Sequence, residues 1–258
     1  YIGSYLKHRW GEKVDIEFYS QGWDSDAQIV QAAKDADIVG YSCTSPQYLA
    51  ATKLVKDICP TSDAIHVIGG VHASAVPLQV LGSGPFDSVI IGVGEYPMSA
   101  LVADVMHGLG AKRIYSGTGR GSAAIAKVQH HWPDRRLIKL ERHLRQTQAA
   151  TGCRQTSVVA SRGCAGSCTF CATHCVNKYM VCRFVGDICE ELRELLVNWD
   201  AEFIQFADDT AFWTGRQCTE FREAVREAKL TPKLKFGCNL RASIPEPEKA
   251  LRALSEAG

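Results

Sequence analysis

Followed as a pattern of apolar and polar positions, the first hundred residues switch repeatedly between two periods. Residues 14–19 (VDIEFY), 37–43 (DIVGYSC), 64–69 (AIHVIG) and 87–91 (DSVII) are short, apolar, β-branched runs, the pattern of buried strands. Between them, 26–35, 47–58, 74–81 and 96–107 are helix-like stretches. This alternation predicts an α/β fold with a Rossmann-like parallel sheet covered on both faces. Sheets of that kind bind ligands outside the carboxyl ends of their strands. The segments falling there are Ser42-Cys43-Thr44-Ser45-Pro46, Gly69-Gly70-Val71-His72 and Gly92-Val93-Gly94-Glu95. Small residues and glycines allow a large ligand close to the backbone, so three such loops on one edge suit a bulky planar cofactor.

The alternation breaks over residues 109–152, where glycine-rich (GTGRGS) and then basic, histidine-containing (QHHWPDRR) stretches predict an interdomain connection. It resumes with a strand at 156–160, a cysteine-rich loop, a helix at 187–197, a strand at 202–207, a helix at 217–229, a strand at 234–238 and a helix at 246–256. These are three βα units of a barrel-like fold, whose working residues lie at the C-terminal ends of strands. The cysteines follow the first of these strands, Asp208 and Asp209 the second, and Asn239 and Arg241 the third. The expected domains are therefore 1–108, a connection over 109–152, and 153–258. Three units do not close a barrel, and the chain opens at Tyr1 on an apparent helix, so a fragment of a longer protein is expected.

Composition narrows the class further. With 258 residues, 46% hydrophobic and 22% charged, the chain has ordinary globular proportions. A formal net charge of +1 gives no reason to propose a nucleic-acid or anionic-membrane surface. No apolar run approaches the roughly 20 residues of a membrane span. Eleven cysteines is an odd and a high number. In a chain with no signal-peptide layout this points to metal or redox chemistry in a reducing cytoplasm rather than to a disulfide framework.

The chemistry concentrates in Ser161-Arg162-Gly163-Cys164-Ala165-Gly166-Ser167-Cys168-Thr169-Phe170-Cys171, a C-x-x-x-C-x-x-C triplet. Soft thiolates select zinc or iron–sulfur clusters. A 4Fe-4S cubane uses four cysteines when its ligation is complete; three leave one iron open, the logic of a catalytic centre. The alternative is a structural zinc site completed by His174 or Cys175, but a second C-x-x-C knuckle is absent. The triplet, with Phe170 just before its third cysteine, resembles the signature of the radical S-adenosylmethionine (SAM) superfamily. The upstream half, through Gly69-Gly70-Val71-His72-Ala73 and Ile91-Gly92-Val93-Gly94-Glu95, resembles the cobalamin-binding domain often fused to such enzymes.

The resemblance implies a cobalamin-binding domain followed by the first part of a radical SAM partial barrel. Cys164, Cys168 and Cys171 would hold the cluster, whose open iron is chelated by SAM and which cleaves SAM to a 5′-deoxyadenosyl radical. Phe170, Asn239 and Arg241 would contact the cofactor, with Arg241 able to grip a carboxylate. Asp208 and Asp209 stand where the family places acids near SAM or substrate, although its common Gly-Glu pair is missing. The alternatives are an aspartate that caps the next segment and a surface arginine. Ser42, Thr44, Gly69, Gly70, His72, Gly92, Gly94 and Glu95 would line the corrin site. The D-x-H-x-x-G motif that supplies a cobalt-ligating histidine is absent, so His72 is expected to touch the corrin or its tail, or simply to be a satisfied loop residue. The implied activity is a cobalamin-dependent methyltransferase acting on an unactivated carbon of a small-molecule or peptide substrate, fed by flavodoxin or ferredoxin. A radical SAM cyclase, oxidoreductase or sulfur-inserting enzyme with a relic cobalamin domain is the rival, and a non-catalytic zinc or iron–sulfur module a third.

Overall fold

The computed structural model describes residues 1–117, 132–176, 180–231 and 233–258; the side chains of His174 and Cys175 also lie outside the described part. The chain forms two compact units: Tyr1–Ile138 with Ser167–Lys178, and Lys139–Gly166 with Tyr179–Gly258.

The first unit is built on a four-stranded parallel sheet, ordered β1 (Ile38–Ser42), β2 (Ile65–Gly69), β3 (Ser88–Ile91) and β4 (Ile114–Ser116). Its helices are α1 (Ile2–Trp10), α2 (Asp26–Ala33), α3 (Tyr48–Ile58), α4 (Gly70–Ala75), α5 (Pro77–Ser83) and α6 (Glu95–Met106). Because successive strand side chains point to opposite faces, the core divides in two. Ile68 and Val89 pack with Ala51 and Val55 of α3, Ala73 of α4 and Val80 of α5. Val67 and Ile90 pack with Leu101 of α6 and with Tyr115. The parallel sheet is covered on both faces, as its apolar runs predict.

Local signals account for the element ends. At the start of α2, Gln28 N donates to Ser25 Oγ at 3.3 Å and Ser25 N donates to Gln28 Oε1 at 2.9 Å, a reciprocal cap that satisfies two otherwise orphaned donors. The helix predicted over 74–81 is two helices: α4 already begins at Gly70, and Pro77, which cannot continue it, opens α5 at a position that suits proline. Residues 14–19 join no strand ladder among the described residues. Their β-branched character marks a fit to a pleated surface, which becomes a strand only beside a bonding neighbour. Two elements, β4 and α7 (Leu140–Thr151), lie in the stretch expected to be a connection; the GTGRGS and QHHW segments fall largely outside the described residues.

The second unit carries a three-stranded parallel sheet ordered β5 (Gln155–Val158), β8 (Phe203–Phe206) and β9 (Phe236–Gly237). An antiparallel ribbon of β6 (Ser161–Arg162) and β7 (Val181–Cys182) stands apart from it. The short α8 (Thr173–Val176) lies between β6 and β7 in sequence, and α9 (Val185–Asn198), α10 (Gly215–Glu227) and α11 (Pro247–Ala257) follow. Phe206 packs edge-to-face on Phe221 at 5.6 Å and on Phe236 at 5.6 Å, a preferred geometry for paired aromatic rings. Arg154 staples the unit: Nη2 donates to Glu141 Oε2 and to Trp199 O, each at 2.8 Å. Among the described residues no helix is long and apolar enough to cross a membrane.

Candidate functional site

The cysteine loop is defined by how its neck is held. After β5 the chain passes through Val159 and Ala160 into β6. Asp208, just beyond β8 and only 4% exposed, turns its carboxylate onto this passage. It accepts from Ala160 N at 3.0 Å and from Ser161 Oγ at 2.7 Å, and also from Ser161 N. Burial pushes the Asp208 carboxyl up from its ordinary range, opposed by the donors of Ala160 and Ser161. The returning chain is held by Arg183: its N donates to Ala160 O at 2.8 Å. Its Nη1 donates to Val159 O at 2.8 Å and to Glu191 Oε2 at 2.5 Å. Both members of this ion pair are 3% exposed. The ribbon then closes the neck, with Ser161 opposite Cys182 and Arg162 opposite Val181.

Beyond the ribbon Gly163 takes φ +79°, a left-handed conformation that glycine adopts without steric cost, and this turns the chain into the triplet. Cys164 and Cys171 are half-buried and Cys168 exposed, and none of the three is in a disulfide. Gly166 N donates to Cys164 Sγ at 3.4 Å, and Cys171 Sγ lies 3.2 Å from Thr173 Oγ1. Phe170 is 91% exposed. Cys164 belongs to the second unit, Cys168 and Cys171 to the segment that clusters with the first, where α8 packs against α4.

The remaining predicted residues of the second unit differ in availability. Asp208 is occupied by the fold. Asp209 is exposed and is the acid left accessible at this strand end. Asn239 Nδ2 donates to Asp208 O at 3.2 Å, and Asn239 O accepts from Ala211 N at 3.1 Å, so it ties the ends of β8 and β9 together. Arg241 lies over the Trp213 ring, 5.3 Å from its centroid.

In the first unit the predicted residues gather at the carboxyl edge of the sheet. Ser42 ends β1 opposite Gly69, which ends β2. Gly70 takes φ +89°, and a Cβ there would meet Cys43 O at 2.9 Å, so the fold itself demands glycine at this position. Thr44 donates from its N and Oγ1 to Gln47 Oε1 at 2.9 and 3.0 Å, opening a short turn. His72 stacks near Tyr48 with centroids 4.4 Å apart, and its Nδ1 pairs with Ser45 Oγ at 3.0 Å. Gly92 N donates to Ser74 Oγ at 2.9 Å. Gly94 precedes α6, and Glu95 is buried in its first turn, where a carboxylate meets the positive end of the helix.

The three cysteines are a soft donor set, of the kind that both zinc and iron–sulfur clusters take. Among the described residues no three Cys, His, Asp or Glu side chains converge on one metal position, so the described donors do not form a pre-built tetrahedral centre. The three thiols carry the softness a cluster needs. A backbone donor already aimed at Cys164 Sγ is the kind of hydrogen bond that stabilises cluster sulfurs. The edge of the first sheet offers exposed Val71 (47%) and Tyr96 (56%) beside its glycines, apolar surface of the sort that a corrin covers.

Comparison with known proteins gives a consistent class. Residues 1–102 match the B12 binding domain family. The whole chain superposes on the cobalamin- and 4Fe-4S-bound radical SAM methyltransferase TsrM from Kitasatospora setae with a TM-score of 0.73 and 16% identity, covering 100% of this chain and 53% of that one. The cobalamin-dependent SAM radical enzyme OxsB, with aqua-cobalamin bound, gives 0.72 and 20%, over 99% of this chain and 38% of that one. In sequence, an anaerobic magnesium-protoporphyrin IX monomethyl ester cyclase from Cereibacter sphaeroides is 25% identical over 83% of this chain and 37% of its own length. A cytidylyl-2-hydroxyethylphosphonate methyltransferase from Streptomyces wedmorensis is 26% identical over 84% and 48%. The chain spans about half the length of the curated relatives it matches.

Over its full length the chain has the fold of the cobalamin-dependent radical SAM enzymes.

Sequence reasoning missed the Arg183–Glu191 pair. One signal was available: Glu191 sits on the stripe of Ile188, Leu192 and Leu195, a charge at an apolar position of a predicted helix. Val71 and Tyr96 were missed because exposure of a single apolar residue cannot be read from periodicity.

Proposed function

We propose that the chain is the cofactor-binding part of a cobalamin-dependent radical SAM enzyme that methylates an unactivated carbon of a small-molecule or peptide substrate. When bound, the cluster with SAM supplies a 5′-deoxyadenosyl radical and cobalamin supplies the methyl group. The observation that carries this reading is the triplet of cysteines Cys164, Cys168 and Cys171, none in a disulfide, on a loop whose neck is fixed by Asp208 and Arg183. Those thiols would hold the cluster and leave one of its irons for SAM. Asp209, exposed at the end of β8, would accept from the amino group of SAM or from substrate, and the exposed Phe170 would be covered by the cofactor. In the first unit, Ser42, Gly69, Gly94, His72, Val71 and Tyr96 line the corrin. Described cysteines outside any disulfide are compatible with a reducing cytoplasm, where flavodoxin or ferredoxin would be the electron donor.

Anaerobic reconstitution tests this directly. Roughly four irons and four sulfides per chain are expected, with one bound corrin, reductive cleavage of SAM, and transfer of label from methyl-labelled SAM to product. Purification under strict anaerobiosis with zinc in the three thiols overturns the reading. A second reading, ring cyclisation without methyl transfer, is favoured by the cyclase names of two relatives; SAM cleavage with unlabelled product would select it.

A further inference from the structure

The environment of Arg241 does not match a group held in reserve for a substrate alone. Its guanidinium sits against the backbone of Gly166: a Cβ built on that glycine would fall 2.6 Å from Arg241 Nη1 and 3.3 Å from Cys164 Sγ. Cation and sulfur therefore lie within about 6 Å of each other, the range in which a charge alters the energy of an ionised neighbour. The other side of the guanidinium is covered by Trp213, 5.3 Å from cation to ring centroid, and no salt bridge engages Arg241 among the described residues. A half-buried, unneutralised cation is thus clamped between an indole ring and the loop that carries the first cysteine. The absence of a side chain at Gly166 is what lets it come so close.

We propose that Arg241 sets the reduction potential of the cluster. The assignment rests on the cluster reading given above and deepens it. Reduction adds one electron to a centre held by anionic thiolates, and net charge and hydrogen bonds to sulfur are among the factors that fix the potential of such clusters. The fixed positive charge of Arg241 stabilises the reduced form, and the Gly166 N–H on Cys164 Sγ acts in the same sense. Trp213 holds the guanidinium in place through its π face. Arg241 is accordingly a positioning and tuning residue for electron entry, whatever it does for SAM.

The test is a redox titration of the reconstituted protein without SAM, read by electron paramagnetic resonance of the reduced cluster. At a fixed ambient potential Arg241→Gln should lower the ratio of reduced to oxidised cluster about tenfold, a 59 mV shift for a one-electron couple, with iron content unchanged. Arg241→Lys should stay within about twofold of the parent, since it keeps the charge. Gly166→Ala, whose added carbon pushes the guanidinium away without removing it, should shift the ratio in the same direction as Arg241→Gln and by less. Omitting SAM is essential: a role confined to gripping its carboxylate would leave all three ratios at the parental value, and that result overturns the proposal. Failure of the unaltered protein to bind any cluster overturns the functional reading instead, a different result from a cluster whose potential ignores residue 241.

Discussion

The two parallel sheets prepare their carboxyl edges by different means. In the first unit the edge is shaped chiefly by backbone and small neutral groups, Gly70 in a left-handed turn, the Thr44–Gln47 cap and Ser74 bonded to Gly92 N, with one carboxylate, Glu95, buried at the start of α6. In the second, the passage after β5 is gripped by buried charge, with Asp208 on one side and the Arg183–Glu191 pair on the other. Neutral, low surfaces suit an edge that meets a large ligand face-on. A loop that must keep three thiols at fixed spacing needs directional bonds. Those bonds are costly to break, because the abandoned partner stays buried.

The sharpest way to break this comparison is Arg183→Met. It takes the guanidinium away from the buried Glu191 carboxylate and frees Val159 O. A loss of about 3–5 kcal/mol is expected, measured as a drop in denaturant midpoint without a change in slope. Replacing both partners, Arg183→Met with Glu191→Leu, should recover most of that loss, because no isolated charge remains. Equal instability of the single and double variants would mean that the pair does not act as a unit, and the contrast between the two edges would lose its basis.

What the sequence disclosed follows the same division. The strand runs at 37–43, 64–69 and 87–91 were legible because burial on both faces leaves continuous apolar segments. The cysteine triplet was legible because its ligands are local in sequence. Asp208 stands out in the sequence as an acid at a strand end, near SAM or substrate or capping the next segment; nothing in the pattern says that Ala160 and Ser161, almost fifty positions earlier, would take its carboxylate. Gly70 was read as room for a ligand, whereas its neighbour is Cys43 O of its own unit. Both contacts join residues far apart in sequence, which periodicity does not encode. Residues 14–19 show the converse, a strand-like pattern that remains unpaired among the described residues.

A middle-sized effect probes the neutral edge. Gly70→Ala forces an L side chain into a left-handed turn and against Cys43 O, and should cost about 1–3 kcal/mol. His72→Ala, which removes only a half-exposed ring and one hydrogen bond to Ser45, should stay within about 0.5 kcal/mol while still weakening corrin retention if the ring faces the cofactor. Comparing the two by thermal unfolding of the corrin-free protein separates what the fold needs from what the ligand needs. Similar losses in both would show that His72, too, belongs to the framework of the edge.

The smallest effect comes from a buried titratable group that the first sheet does contain. His66 on β2 is 3% exposed; its Nδ1 pairs with Tyr41 Oη at 2.9 Å, its N donates to Asp87 Oδ2 at 2.8 Å, and its Nε2 is buried with no partner. Burial holds its pKa below the ordinary imidazole value, and the nearby Asp87 opposes this only in part. An imidazole with a depressed pKa takes up its proton later in the folded chain than in the unfolded one. Its contribution to stability is therefore complete above about pH 6.5 and declines as the pH falls towards the folded value. For a single proton the slope cannot exceed about 1.4 kcal/mol per pH unit. Denaturant midpoints between pH 7.5 and 5.5, above the range in which most carboxylates titrate, should fall for the parent and much less for His66→Phe. If the two curves run parallel, the proton enters elsewhere, and the neutral edge of the first sheet is as indifferent to acid as its glycines suggest.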